Sequence, residues 1–125
     1  MTTDEAATPA PLPASILTQG TNLIVSIHTA LDDEQLVRLQ RDLLDRVGSQ
    51  RCRGILIDVA ALDVLDSFAA RTLGNLAYMA RLRGARTVVV GIAPDVAMAL
   101  VRLAVHMPLV QTSLDLEEGL QCLAS

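Results

Sequence analysis

The chain has no lysine: all ten of its basic residues are arginine. That excludes a Schiff-base or other lysine nucleophile and leaves any Walker-type phosphate loop without its cation. Tryptophan is also missing, with Phe68 and Tyr78 the only aromatic residues besides histidine. Base-stacking platforms of the kind used by sequence-tolerant single-strand binders are therefore excluded. A formal charge of -4 and a pI near 4.9 give no general attraction to phosphate backbones, so nucleic acid is not an expected partner. The longest nearly apolar run, Val96 to Val105, is broken by Arg102 and falls far short of the roughly 20 residues of a membrane-spanning helix.

Other chemical signatures are missing as well. Cys52 and Cys122 form no CxxC pair, and no apolar N-terminal run precedes a cleavage site; a reduced, cytoplasmic setting is expected. His28 and His106 have neither HxxxH nor HExxH spacing, so no metal or other cofactor is expected and both read as structural or surface residues. Ser67 lacks the GxSxG elbow of a serine hydrolase. Gly91 belongs to neither a GxGxxG nor a GxxxxGK[ST] loop. A phosphoaspartate receiver built on Asp58 or Asp66 would need an acidic pair near the first strand and normally a lysine. The pair Asp32 and Asp33 comes after the second expected strand, and the lysine does not exist. The chain is therefore not expected to be an enzyme.

What is present is aliphatic: hydrophobic residues make up 51% and charged residues 19% of 125 residues, enough for one well-packed domain and too little for two. Residues 1–13, with Asp4, Glu5 and three prolines, read as a leader, and residues 14–125 as the domain. Strands are expected at Ser15 to Thr18, Asn22 to His28, Gly54 to Val59, Thr87 to Ile92 and Leu109 to Gln111. Between and after them lie four helical patterns. The first, capped by Asp32 or Asp33, runs to about Val47 with Gly48 as its stop. The second starts after Asp66, carries a stripe of Ala69, Leu73, Leu76, Ala77 and Ala80, and ends at Gly84. The third runs from Pro94 or Asp95 to about His106. The last runs from about Leu114 to Leu123, with Thr112 or Ser113 as its cap. The order β-β-α-β-α-β-α-β-α predicts an α/β domain with a mixed central sheet of about five strands and about four helices.

Ser67 stands at the start of the second helix, between Asp66 and Phe68. Either Asp66 or Ser67 can serve as the N-cap, worth about 1 kcal/mol. Alternatively, a hydroxyl at this helix start can accept a phosphate, favoured by free N–H groups and opposed by the charge of Asp66.

Three stretches, LIVSIHTALDDEQL, ILIDVAALDVLDSFAARTLGNLAYMARLRGARTVVVGIAPDVAMAL and TSLDLEEGLQCL, resemble the STAS domains of anti-sigma factor antagonists. The resemblance runs from Leu12 to Leu123 and points to the stand-alone, RsbS-like stressosome scaffolds; DSF at the helix start is its most specific element. It implies a non-catalytic scaffold and antagonist that sequesters an RsbT-like serine/threonine kinase and releases it on phosphorylation. The resemblance also implies assembly with RsbR-like STAS co-antagonists and self-association. The phosphorylated serine carries over to Ser67, while Asp63, Asp66 and Phe68 fall on the implied partner surface. The chain has no room for the sensory domain of an RsbR-like protein, and its leader holds three further hydroxyls, Thr2, Thr3 and Thr8. The alternatives are a simple anti-sigma factor antagonist, whose helix start tends to read DSSG rather than DSF, and a small-ligand-binding α/β domain.

Overall fold

A computed structural model describes residues 11–102 and 107–124. Five strands form one sheet in sequential order: β1 (Ala14–Gln19), β2 (Asn22–Ile27), β3 (Gly54–Asp58), β4 (Arg86–Val90) and β5 (Val110–Ser113). β1 pairs antiparallel with β2 through a tight turn, in which Gly20 takes φ +60°. The remaining pairs are parallel and so require crossovers. These contain α1 (Asp33–Gln50), α2 (Ser67–Leu82) and α3 (Pro94–Arg102); α4 (Leu116–Ala124) follows β5. The fold is the mixed five-strand, four-helix α/β domain that the periodicities predict.

Because side chains alternate along a strand, each interior strand feeds two cores. Leu23, Val25, Ile27, Ile55, Ile57 and Val89 join Leu36, Leu39, Leu43 and Val47 of α1 and Ala69, Leu73, Leu76 and Ala80 of α2 in the larger core. The intervening Ile24, Leu56, Val88 and Val90 point to the other face, where Leu120, Cys122 and Leu123 of α4 cover them. This double burial explains why GILID and TVVV show little polar alternation. The small residues of α2 let its backbone lie close to the sheet.

Two expected boundaries are corrected. α1 does not stop at Gly48; it continues to Gln50, and Arg51 closes it in the left-handed conformation at φ 52°. Gly48 instead makes room for the Arg83 guanidinium, which occupies the space a Cβ would fill. Neither Thr112 nor Ser113 caps the last helix. Both are strand residues, with Thr112 paired to Val89 and Ser113 to Val90. The Asp115 carboxylate takes the capping position, accepting the Glu118 N–H at 2.9 Å. The third helix is described to Arg102; its expected continuation to His106, and His106 itself, lie outside the described residues.

All four parallel strands point the same way, so the loops after β2, β3, β4 and β5 gather at one end of the sheet. The N-termini of the four helices gather there with them. The Ser67 loop belongs to this carboxyl end.

Candidate functional site

The loop from Val59 to Asp66 is held where it leaves β3. Val59 N–H donates to Val90 O at 3.0 Å, and Ala60 N–H to the Asp58 carboxylate at 2.9 Å. Gly91, at φ +78°, passes so close beneath that a Cβ there would stand 2.8 Å from Ala60 Cβ. Its N–H donates to Leu114 O at 3.1 Å. One glycine thus joins three loops of the carboxyl end. Leu62 and Leu65 are buried beneath the loop, while Val64 is 66% exposed. Asp63 is also exposed.

Asp66 is the N-cap of α2. Its backbone is extended, its carboxylate accepts the Ala69 N–H at 2.7 Å, and its carbonyl accepts the Ala70 N–H at 3.0 Å. Ser67 is therefore the first helical residue rather than the cap. It is half-buried, and among the described residues its hydroxyl has no hydrogen-bond partner. Phe68 is also half-buried; one part of it packs on the larger core. Its remainder borders an open hollow of about 480 Å³ lined by Asp33, Glu34, Val37, Arg38 and Arg41 of α1. Asp63, Asp66, Ser67 and Phe68 lie together at the helix start. Val37 and Val64 are exposed aliphatic residues that no motif in the sequence marks. Val37 lies off the Leu36–Leu39–Leu43–Val47 face of α1, and an aliphatic residue on a polar helix face was the available signal.

Of the carboxylates that a phosphoaspartate site would use, Asp58 accepts the Ala60 N–H at 2.9 Å and Asp32 forms a reciprocal capping box with Gln35 at 2.8 and 3.0 Å. Among the described residues, no group of three His, Cys, Asp or Glu side chains could hold a metal ion. His28 Nε2 lies 2.7 Å from Ser15 Oγ on the neighbouring strand. Cys52 is buried at the end of α1, where desolvation pushes its thiol pKa up. No helix among the described residues is long and apolar enough to cross a membrane.

Ser67 thus stands half-buried beside a carboxylate cap at the carboxyl end of a mixed α/β sheet. The sequence model of the STAS domain matches residues 14–119, and the chain belongs to the STAS domain family. It is similar to RsbRA of Bacillus subtilis (strain 168), described as an RsbT co-antagonist protein: 31% identical over 98 residues, 78% of this chain and 36% of that protein. The match thus spans about a third of that relative's length. Among solved structures, it resembles a serine-to-glutamate variant of RsbS from Moorella thermoacetica. The TM-score is 0.77 and the identity 31%, over 89% of this chain and 94% of the other. A chain of the stressosome, described as a signal integration and transduction hub, matches with TM-score 0.70 and 28% identity, covering 88% of this chain and 96% of its own length. The anti-sigma factor antagonist SpoIIAA in its unphosphorylated form, 12% identical with TM-score 0.72 over 89% of this chain and 96% of its own, agrees in fold.

Proposed function

We propose that the chain is a non-catalytic scaffold of a stressosome-type assembly, which binds and sequesters an RsbT-like serine/threonine kinase and releases it when Ser67 is phosphorylated. The observation that carries this reading is the division of labour at the helix start. Asp66 supplies the cap, so the Ser67 hydroxyl has no structural bond among the described residues and is partly accessible. The amides of Ser67 and Phe68 precede the first intrahelical bond, that of Ala70 to Asp66 O, and with the helix dipole they favour a phosphate. A phosphate adds about 1.5 to 2 negative charges. Beside the half-exposed Phe68 ring and Asp63, that charge opposes any contact built on desolvated apolar surface.

The remaining parts of the proposal follow from the relatives. RsbRA is a co-antagonist of RsbT, which supports RsbR-like co-antagonists as partners of this chain, and the stressosome chain supports self-association. Residues 14–125 would form the STAS unit, residues 1–13 its leader, and the cytoplasm its compartment. Asp63, Asp66 and Phe68 are the proposed partner contacts.

The test is incubation with the cognate kinase and ATP, followed by peptide mass mapping. Phosphate on the peptide containing Ser67, and its absence in Ser67→Ala, is the expected result. Phosphate confined to Thr2, Thr3 or Thr8, or no incorporation, contradicts the assignment.

A further inference from the structure

The domain is electrically polarised along its strands. The loops and first helical turns at the carboxyl end carry Asp63, Asp66, Asp95, Asp115, Glu117 and further acids, but no arginine. At the opposite, amino end of the sheet, the turns, strand starts and last helical turns carry Arg51, Arg53, Arg81, Arg83 and Arg86 and no acid. Complementing the helix dipoles accounts for part of this pattern. It does not account for Asp63, which belongs to no helix, for Arg53 in the connection before β3, or for Arg86 at the start of β4.

Each end also exposes aliphatic surface. At the acidic end Leu114 is 81% exposed, at the turn that precedes the acids of α4. At the basic end Leu82 is 77% exposed, between Arg81 and Arg83. Near it a hollow of about 220 Å³ opens between α2 and β5, lined by Ala77, Arg81, Thr87, Pro108 and Leu109. Thr87 Oγ1, on its wall, is buried and has no hydrogen-bond partner among the described residues. One end therefore presents an aliphatic projection among carboxylates, and the other a partly apolar hollow walled also by Arg81, Arg86 and Gln111.

We propose that copies of this chain associate head to tail through the Leu114–Glu118 corner of the acidic end, which leaves the Ser67 loop to the kinase, with Leu114 of one copy seated at the hollow beside α2, β4 and β5 of the next. Both charge patterns belong to one molecule, so the fitting occupant of each end is a second copy. The inference rests on the self-association proposed above and adds its geometry. Such an interface is heterologous: it leaves one head and one tail free in every dimer, and it grows into a chain or closes into a ring. Its charged part weakens with salt.

The experiment is sedimentation velocity of the full chain over a concentration series at low and high salt, with two variants. Leu114→Arg disrupts only the head and Leu82→Glu only the tail; both sites are exposed, and unchanged thermal melts establish folding. The unaltered chain is expected to form species beyond the dimer at low salt and fewer at high salt. Each variant alone is expected to lose association at least about tenfold. An equimolar mixture of the two is expected to recover dimers and nothing larger, since one intact head meets one intact tail. A dimer that survives both variants, or variants that do not rescue each other, overturns the head-to-tail geometry while leaving self-association standing. A monomer under every condition overturns both.

Discussion

The Asp66 carboxylate accepts the Ala69 N–H at 2.7 Å, so the residue before Ser67, and not Ser67 itself, holds the start of α2. Asp66→Ala is expected to destabilise the domain by about 0.5 to 2 kcal/mol through loss of the cap. Ser67→Ala is expected to stay within about 0.5 kcal/mol of the unaltered chain. Urea unfolding of the two variants checks this, and a larger loss for Ser67→Ala would reverse the assignment of the cap.

Gly91 and Gly20 both have positive φ, but only Gly91 has a neighbour within reach of a Cβ. Gly20→Ala should cost about 1 to 2 kcal/mol, the backbone penalty alone. Gly91→Ala should cost more, because its Cβ would press on Ala60 as well. The Gly91→Ala change is also expected to weaken kinase binding by displacing the Ser67 loop, whereas Gly20→Ala, at the far end of the sheet, leaves binding unchanged.

The two cysteines should separate chemically. Cys52 is 4% exposed and its thiol pKa is raised by burial, so it should react with an aromatic disulfide reagent only as the domain unfolds; Cys122, half-buried, should react first. The raised folded pKa means that the native state holds the Cys52 proton more tightly than the unfolded chain does. Its contribution to stability is present below the unfolded thiol pKa and is lost as pH rises through the folded one. Replacing Cys52 by Ala should reduce that alkaline loss, measurable as the pH dependence of the urea midpoint.

Val37 faces the same hollow as Phe68. If the kinase contacts the Phe68 ring, Val37→Glu should raise its dissociation constant about tenfold, a change of about 1.4 kcal/mol, with little effect on folding because Val37 is 39% exposed. Titration calorimetry with the kinase distinguishes this from a footprint confined to the Val59–Asp66 loop, in which Val37→Glu would have no effect.

The order of elements was legible because two periodicities, the buried strands GILID and TVVVG and the Ala/Leu stripe of α2, are written directly in the sequence. Element ends were less legible where tertiary contacts outrank local preference. Gly48 has the residue type of a helix stop, yet it serves the packing of Arg83, while Arg51 adopts the left-handed turn that glycine usually takes. Thr112 and Ser113 have the hydroxyls of caps, but the parallel ladder to β4 holds them as strand. At the helix start, DSF marks the position, but only the backbone distinguishes Asp66 as cap from Ser67 as first helical residue. Val37 escaped because it is 30 residues from Ser67 in sequence, and it is the packing of α1 that brings it to the hollow beside Phe68.

The most direct test of the central claim is calorimetric titration of the kinase with the unmodified chain and with chain fully phosphorylated at Ser67. The account predicts measurable binding by the unmodified protein, weakened at least about tenfold by the phosphate and weakened only in part by Ser67→Asp, whose carboxylate carries less charge. Equal affinity of the unmodified and fully phosphorylated proteins would contradict it.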